Sequence, residues 1–208
     1  MKKTIAALVA ISMIFGCVIG GTLAWLTAQS GEVKNVFTTS DINVTLTETD
    51  SDDAGTDANN NSYKMVPGWT IAKDPVVTVK SGSEACYLFV KVEESSVLKD
   101  YITYTIETGT DKWQPLPNVT GVYYREVAAA AVDQPFAVLT DNKVTVKGSV
   151  TKQMMAALQE ESATQPTLTF TAYASQLYKD TNVKFDVAEA WHNISDPEDK
   201  IAYTTEQQ

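Results

Sequence analysis

The residues able to do chemistry in this chain are few, and their spacing says more about what they do not do. The only histidine, His192, lies in Ala190-Trp191-His192-Asn193. Zinc catalysis usually needs three protein ligands, commonly two or more of them histidine. No His-Glu-x-x-His occurs. A Ser-His-Asp unit would have to run through His192, and no Gly-x-Ser-x-Gly elbow is present. His192 therefore reads as a structural residue, at the surface or partly buried. Acidic residues are plentiful, but nothing singles out a glycosidase-like pair. No glycine-rich loop is suited to cradle phosphate. No catalytic residue, metal ligand or cofactor site is assigned.

Two clusters remain. Asp50, Asp52, Asp53 and Asp57, with Asn59, Asn60 and Asn61, gather hard oxygen donors of the kind calcium takes. The spacing fails the EF-hand template, since Ala54 stands fifth from Asp50 and no Glu closes the loop. The segment reads as a solvated loop. Among four tryptophans, Trp69 and Trp113 lie next to turn signals and could stack on sugar faces. The alternative is core or edge packing, the commoner fate of large aromatics in small β domains.

The elements that would position these residues begin with a leader. Lys2 and Lys3 are followed by an apolar stretch from Ile5 to Ile19, then Gly20-Gly21 and Thr22-Leu23-Ala24, with small residues at alternate positions. This is the layout of a secretory signal, with cleavage expected between Ala24 and Trp25. A retained anchor fits less well, because the stretch is short and no basic cluster follows it. Ile14-Phe15-Gly16-Cys17 partly resembles a lipobox, but Phe15 stands where a small residue is usual. The domains are thus a signal at 1–24 and a single domain at 25–208. Cleavage removes two lysines and no acid, moving the formal net charge from -10 to -12. It also removes Cys17 and leaves Cys86 alone, so an internal disulfide is excluded. Cys86 sits in the apolar run Ala85-Cys86-Tyr87-Leu88-Phe89-Val90 and reads as a buried, inert thiol. The acid excess excludes nucleic acid as a partner and argues against adsorption to anionic lipid.

The mature chain reads as all-β, a jelly-roll-like antiparallel sandwich with two or three short helices in its connections. Residues 36–49 alternate, with Val36, Ile42, Val44 and Leu46 on one face. Pro67-Gly68 and Ser81-Gly82-Ser83 are turn signals. Further strands are expected at 71–80, 86–93, 102–107, 113–116, 121–127, 136–139, 143–147 and 167–177. Helices are expected at 151–161 and 183–191, with a single turn at 95–101.

The N-terminal third resembles a known group. Gly20-Gly21-Thr22-Leu23-Ala24-Trp25-Leu26-Thr27, Val36-Phe37-Thr38 and Asp41-Ile42-Asn43-Val44 are similar to the signal and first strand of Gram-positive proteins processed by the SipW-type signal peptidase. Met65-Val66-Pro67-Gly68, Lys73-Asp74-Pro75 and Ala85-Cys86-Tyr87-Leu88-Phe89-Val90-Lys91-Val92 look like the body of the same TasA/camelysin family. The match is specific through about residue 93 and diffuse beyond it. The resemblance implies a secreted jelly-roll protein of the cell surface or biofilm matrix, able to form fibres with copies of itself or other matrix proteins. It also implies export with a SipW-type signal peptidase as partner. Camelysin relatives carry a metallopeptidase label, which these residues do not support.

A physical route to fibres exists. A strand freed by cleavage could add to a neighbour's sheet edge, with main-chain hydrogen bonds supplying the contact. A head-to-tail contact that does not close makes a filament. The candidate donor segment carries Val33, Val36, Ile42, Val44 and Leu46. The competing reading pairs these residues within their own sheet. At the level of function, the alternative is a monomeric envelope module that binds polysaccharide or a surface protein. N-terminal sequencing of the secreted chain is expected to begin at Trp25, within a few residues. A lipid-blocked start at Cys17 would instead establish a lipoprotein.

Overall fold

The computed structural model describes residues 41–49 and 61–194. These residues form an antiparallel, mostly β fold with three short helices, as the sequence predicts. The signal segment, Val33, Val36 and residues 50–60 of the acidic loop lie outside the described residues.

One layer is a continuous four-stranded sheet. Its order is β10 (Leu168–Gln176), β4 (Cys86–Glu94), β7 (Val122–Val127) and β6 (Gln114–Pro115). The other layer is two short sheets joined end to end. The first has the order β1 (Val44–Thr47), β3 (Val76–Val79) and β8 (Gln134–Ala137). The second has the order β2 (Thr70–Ala72), β9 (Lys143–Val146) and β5 (Ile102–Thr103).

The predicted strand at 71–80 is split into β2 and β3 at Lys73-Asp74-Pro75. Pro75 has no N–H to give a ladder. Opposite it, Thr140–Asn142 form a 3₁₀ turn in which Asp141 and Asn142 take positive φ. Two bonds carry the pairing across the gap, Lys73 N–H to Asn142 O at 2.9 Å and Val138 N–H to Pro75 O at 3.0 Å. The expected strand at 102–107 is regular only over β5, and then returns as the Ile106–Leu139 bridge. Likewise β6 covers two of the four residues expected at 113–116.

Strand β4 explains why its sequence is a solid apolar run. Cys86 to Val90 are all buried, on both faces of the sheet. One face carries Cys86, Leu88, Val90 and Val92 into the core between the layers, against Val77, Val79, Val138 and Val146. The other carries Tyr87 and Phe89 into a second core with Leu116, Val122 and Leu177. Helix α3 (Val187–Ile194) closes this second core with Ala190 and Trp191. The Trp191 ring centre lies 5.3 Å from that of Phe89 and 5.2 Å from that of Tyr173.

Turn chemistry sets the chain's path. Pro67-Gly68 are the centre of a turn closed by Trp69 N–H to Val66 O at 3.0 Å, with Gly68 at φ +80°. Proline followed by a positive-φ glycine is a type II turn. Gly121 has φ +77°, and a Cβ there would lie 2.7 Å from the carbonyl oxygen of Val92. Only glycine lets β7 start against β4 at that point.

The helices follow their caps. Helix α1 is the expected single turn, Leu98–Tyr101. Helix α2 (Lys152–Ala157) starts where Thr151 accepts from Met154 N–H at 3.1 Å. It ends before the expected 161, because Gln159 and Glu160 bond back three residues rather than four. The helix expected at 183–191 needs correction. Val183–Lys184 form β12, paired with β11 (Tyr178–Asp180), and the helix starts after Asp186. Asp186 caps it, its carboxylate accepting from Ala188 N–H at 2.9 Å, with Glu189 three positions on. Asp-x-x-Glu is a start signal in its own right, and it overrides the weak apolar spacing that includes Val183.

Trp191→Ala should leave a void beside Phe89 and Tyr173. We expect a loss of about 3–5 kcal/mol, measured from urea unfolding midpoints at unchanged slope.

Candidate functional site

The most concentrated set of polar groups inside the sandwich is built on the break between β2 and β3. Lys73 is 9% exposed, although it is charged. Its ammonium contacts both oxygens of Glu48 at 3.0 Å. The Tyr63 hydroxyl donates to Glu48 Oε1 at 2.5 Å. The same ammonium lies 5.2 Å from the ring centre of Tyr63 and 5.6 Å from that of Phe170. A buried charge must be paired to be tolerated, and Glu48 with two π faces meets that need. Asp74 grips the next residue from the outside. Its oxygens accept from Thr49 N–H at 3.0 Å and from Thr49 Oγ1 at 2.6 Å. Burial pushes the Asp74 carboxyl up, but the bonds from Thr49 outweigh it and hold the carboxyl below its usual range. Neighbouring residues 73 and 74 thus clamp the end of β1 from two sides.

Beside this clamp lies a cavity of about 520 Å³. Leu46, Met65, Ile71, Val144, Leu168 and Phe170 supply apolar wall, and Glu48, Tyr63 and Lys73 supply polar wall.

The tryptophan candidates part company. Trp69 follows the Pro67-Gly68 turn and is 64% exposed, open to a ligand. Trp113 is fully buried, and its Nε1–H donates to Ala137 O at 2.7 Å. It cannot stack on a sugar, and that expectation is corrected. Its neighbour is Arg125, the single arginine of the chain. The Arg125 guanidinium carbon lies 3.7 Å from the ring centre of Phe136 and 5.7 Å from that of Trp113. One terminal nitrogen donates to Asp111 O at 2.7 Å. Burial pushes the Arg125 pKa down.

Cys86 is fully buried and free, and burial pushes its thiol up to about 11. That is the inert state its setting predicts. His192 is half-buried on α3, next to the fully packed Trp191. Among the described residues, no three His, Cys, Asp or Glu side chains converge as a metal site. Of the acidic loop, Asn61 is described, and it donates to Thr49 O at 3.1 Å.

The candidate strand-donor residues divide at the start of the described chain. Ile42, Val44 and Leu46 pack on their own core. Residues 44–47 pair antiparallel with 79–76 of the same chain. Over Val44–Thr47 this segment is a strand of its own chain's sheet. The Lys73–Glu48 pair was not legible beforehand, because Glu48 sits in a polar stretch and its partner is 25 residues away. The one available signal was the charged Lys73-Asp74 set between apolar strand residues just ahead of Pro75.

No helix among the described residues is long and apolar enough to cross a membrane. Protein-family models, curated proteins and solved structures gave no match to this chain.

Removing one partner of the clamp leaves the other charge unpaired. Lys73→Met should cost about 2–4 kcal/mol, toward the low side of the range for buried pairs because Glu48 keeps some exposure. The double variant Lys73→Met/Glu48→Leu should recover most of that loss. A double-mutant cycle from urea unfolding checks both values.

Proposed function

We propose that this chain is a secreted, non-enzymatic structural protein of the cell surface or biofilm matrix, which self-assembles into fibres by strand addition with β10 as the acceptor. The observation that carries this reading is the character of β10. Among the described residues it ends its sheet, and it pairs with β4 through nine residues without a register shift. It contains no charge, proline or glycine. Sheet edges are normally blunted by charge, proline, bulges or shortness. The other outer strands among the described residues follow that rule, at two to four residues each. Prolines at 115 and 135 interrupt two of them.

The bonding parity identifies the accepting groups. Ser95 N–H bonds Thr167 O, and Leu177 N–H bonds Ala85 O. In this register, odd-numbered residues of β10 direct their amides at β4. Phe170, Ala172 and Ala174 direct theirs outward. The donor in this reading is the stretch before Asp41, with Val33 and Val36 as its apolar positions. Processing by a SipW-type peptidase, a jelly-roll connectivity and kinship with the TasA/camelysin family belong to the same proposal.

A second reading keeps one supporting observation. The exposed Trp69 would suit a monomeric envelope module that stacks on polysaccharide.

Ala172→Pro removes an outward N–H without touching the β4 ladder, a change that edge strands tolerate. We expect it to abolish filaments in electron micrographs while circular dichroism is unchanged. Deletion of residues 25–35 should do the same from the donor side. Wild-type-like filaments from both variants would refute strand addition. Because subunits this acidic repel, growth should be slower at low salt. A monomer whose glycan binding is lost in Trp69→Ala would favour the second reading.

A further inference from the structure

The cavity beside the clamp goes beyond that reading. We propose that it is a binding site for a small neutral amphiphile, a molecule with an apolar body and an uncharged hydrogen-bond-accepting head. Its volume of about 520 Å³ lies inside the range of roughly 300–1,000 Å³ typical of small-molecule sites. Such sites combine apolar walls with a few converging polar groups. Here Leu46, Ile71, Val144 and Phe170 would hold the body, while the Glu48–Lys73–Tyr63 group faces the head.

The clamp's charge balance decides the kind of head. An ammonium has three donors. Glu48 takes one of those on Lys73, its two oxygens sharing a single N–H with both at 3.0 Å. A carboxylate head would have to compete with Glu48 for Lys73. A cationic head would face a lysine whose counter-charge is already engaged. In either case a charge would be taken from water into a partly apolar site without a full partner. A neutral oxygen can accept a further Lys73 N–H and avoid both costs. The apolar body would complete contacts that the walls of an open cavity lack.

Three ligands with one tail test the head preference: 1-octanol, octanoate and octylamine, titrated calorimetrically into the full chain at low salt, where repulsion between acidic subunits is strongest. We expect saturable binding of 1-octanol, with octanoate and octylamine at least tenfold weaker. The methyl NMR signals of Leu46, Met65 and Val144 should shift with the same saturation curve. Leu168→Trp and Ile71→Phe each fill the cavity from a half-buried wall position. Each should weaken 1-octanol binding at least tenfold with an unchanged circular dichroism spectrum. If either variant fails to fold, the other and the wild-type NMR titration decide. Absence of saturable 1-octanol binding, tighter binding of octanoate, or shifts away from these methyls would overturn the assignment. Filament formation plays no part in these readouts, so this site and the assembly reading stand or fall separately.

Discussion

A strand that hides both of its faces needs a layer of protein on each side. Strand β4 imposes that demand on the whole fold. Its even-numbered residues from Cys86 to Val92 require a second sheet, and β3, β8 and β9 supply one. Its odd-numbered rings, Tyr87 and Phe89, require a different cover. That cover comes from the C-terminal part of the described chain, where the β11–β12 hairpin turns the backbone so that α3 lays Trp191 against Phe89. Hydrophobic burial is non-directional, so the alternation of side chains along β4 gives it direction. Even β7 obeys this constraint, since its start depends on a glycine close enough to touch the β4 backbone.

The polar groups inside the sandwich sit where this layered packing has to end. The β2–β3 break and its facing 3₁₀ turn interrupt the ladder, and the Lys73–Glu48 pair fills the space with a compensated charge. At the other site, the Arg125 guanidinium sits over the ring of Phe136. A guanidinium is less strongly hydrated than an ammonium and stacks on rings. The chain uses lysine for every other basic position, mostly exposed and paired with nearby acids such as Glu107, Glu126 and Glu189. Lys73, the most buried basic group among the described residues, and Arg125 both lie beside aromatic faces. The same packing limits leave a cavity next to Lys73, with the charge already balanced before any ligand arrives.

Function on this scaffold is a matter of what the layers leave at their margins. The buried cysteine and the half-buried histidine are tied up in packing. Among the described residues, two such margins are an outer strand without charge and a cavity of mixed apolar and polar lining. The first offers main-chain groups in a row and suits a polymeric partner. The second offers a concave volume and suits a small one. The acidic surface sets the conditions for the first, since strand contacts form at short range while like charges repel over about 10 Å at 0.1 M salt.

Much of this architecture was legible in the sequence. Alternation placed Val44 and Leu46 on one face, the solid apolar run at 86–90 marked a buried strand, and Pro67-Gly68 marked a turn. Local signals decided those features, because each depends on residues within a few positions of one another. The split at Pro75, the shortening of the strands at 102 and 114, and the hairpin before α3 were less clear. In each, a cap or a missing N–H competes with hydrophobic spacing, and the outcome depends on the strand opposite. Composition likewise bounded the chemistry: one histidine, two cysteines and a strong acid excess. Tertiary structure alone decided that Trp113 is core while Trp69 is exposed, though both lie beside turns. It alone brought Lys73 to Glu48 and left an open cavity beside them. Burial and ion pairing across 25 residues depend on which layers face each other. That geometry is set by the packing of the whole domain, and no local pattern of residues encodes it.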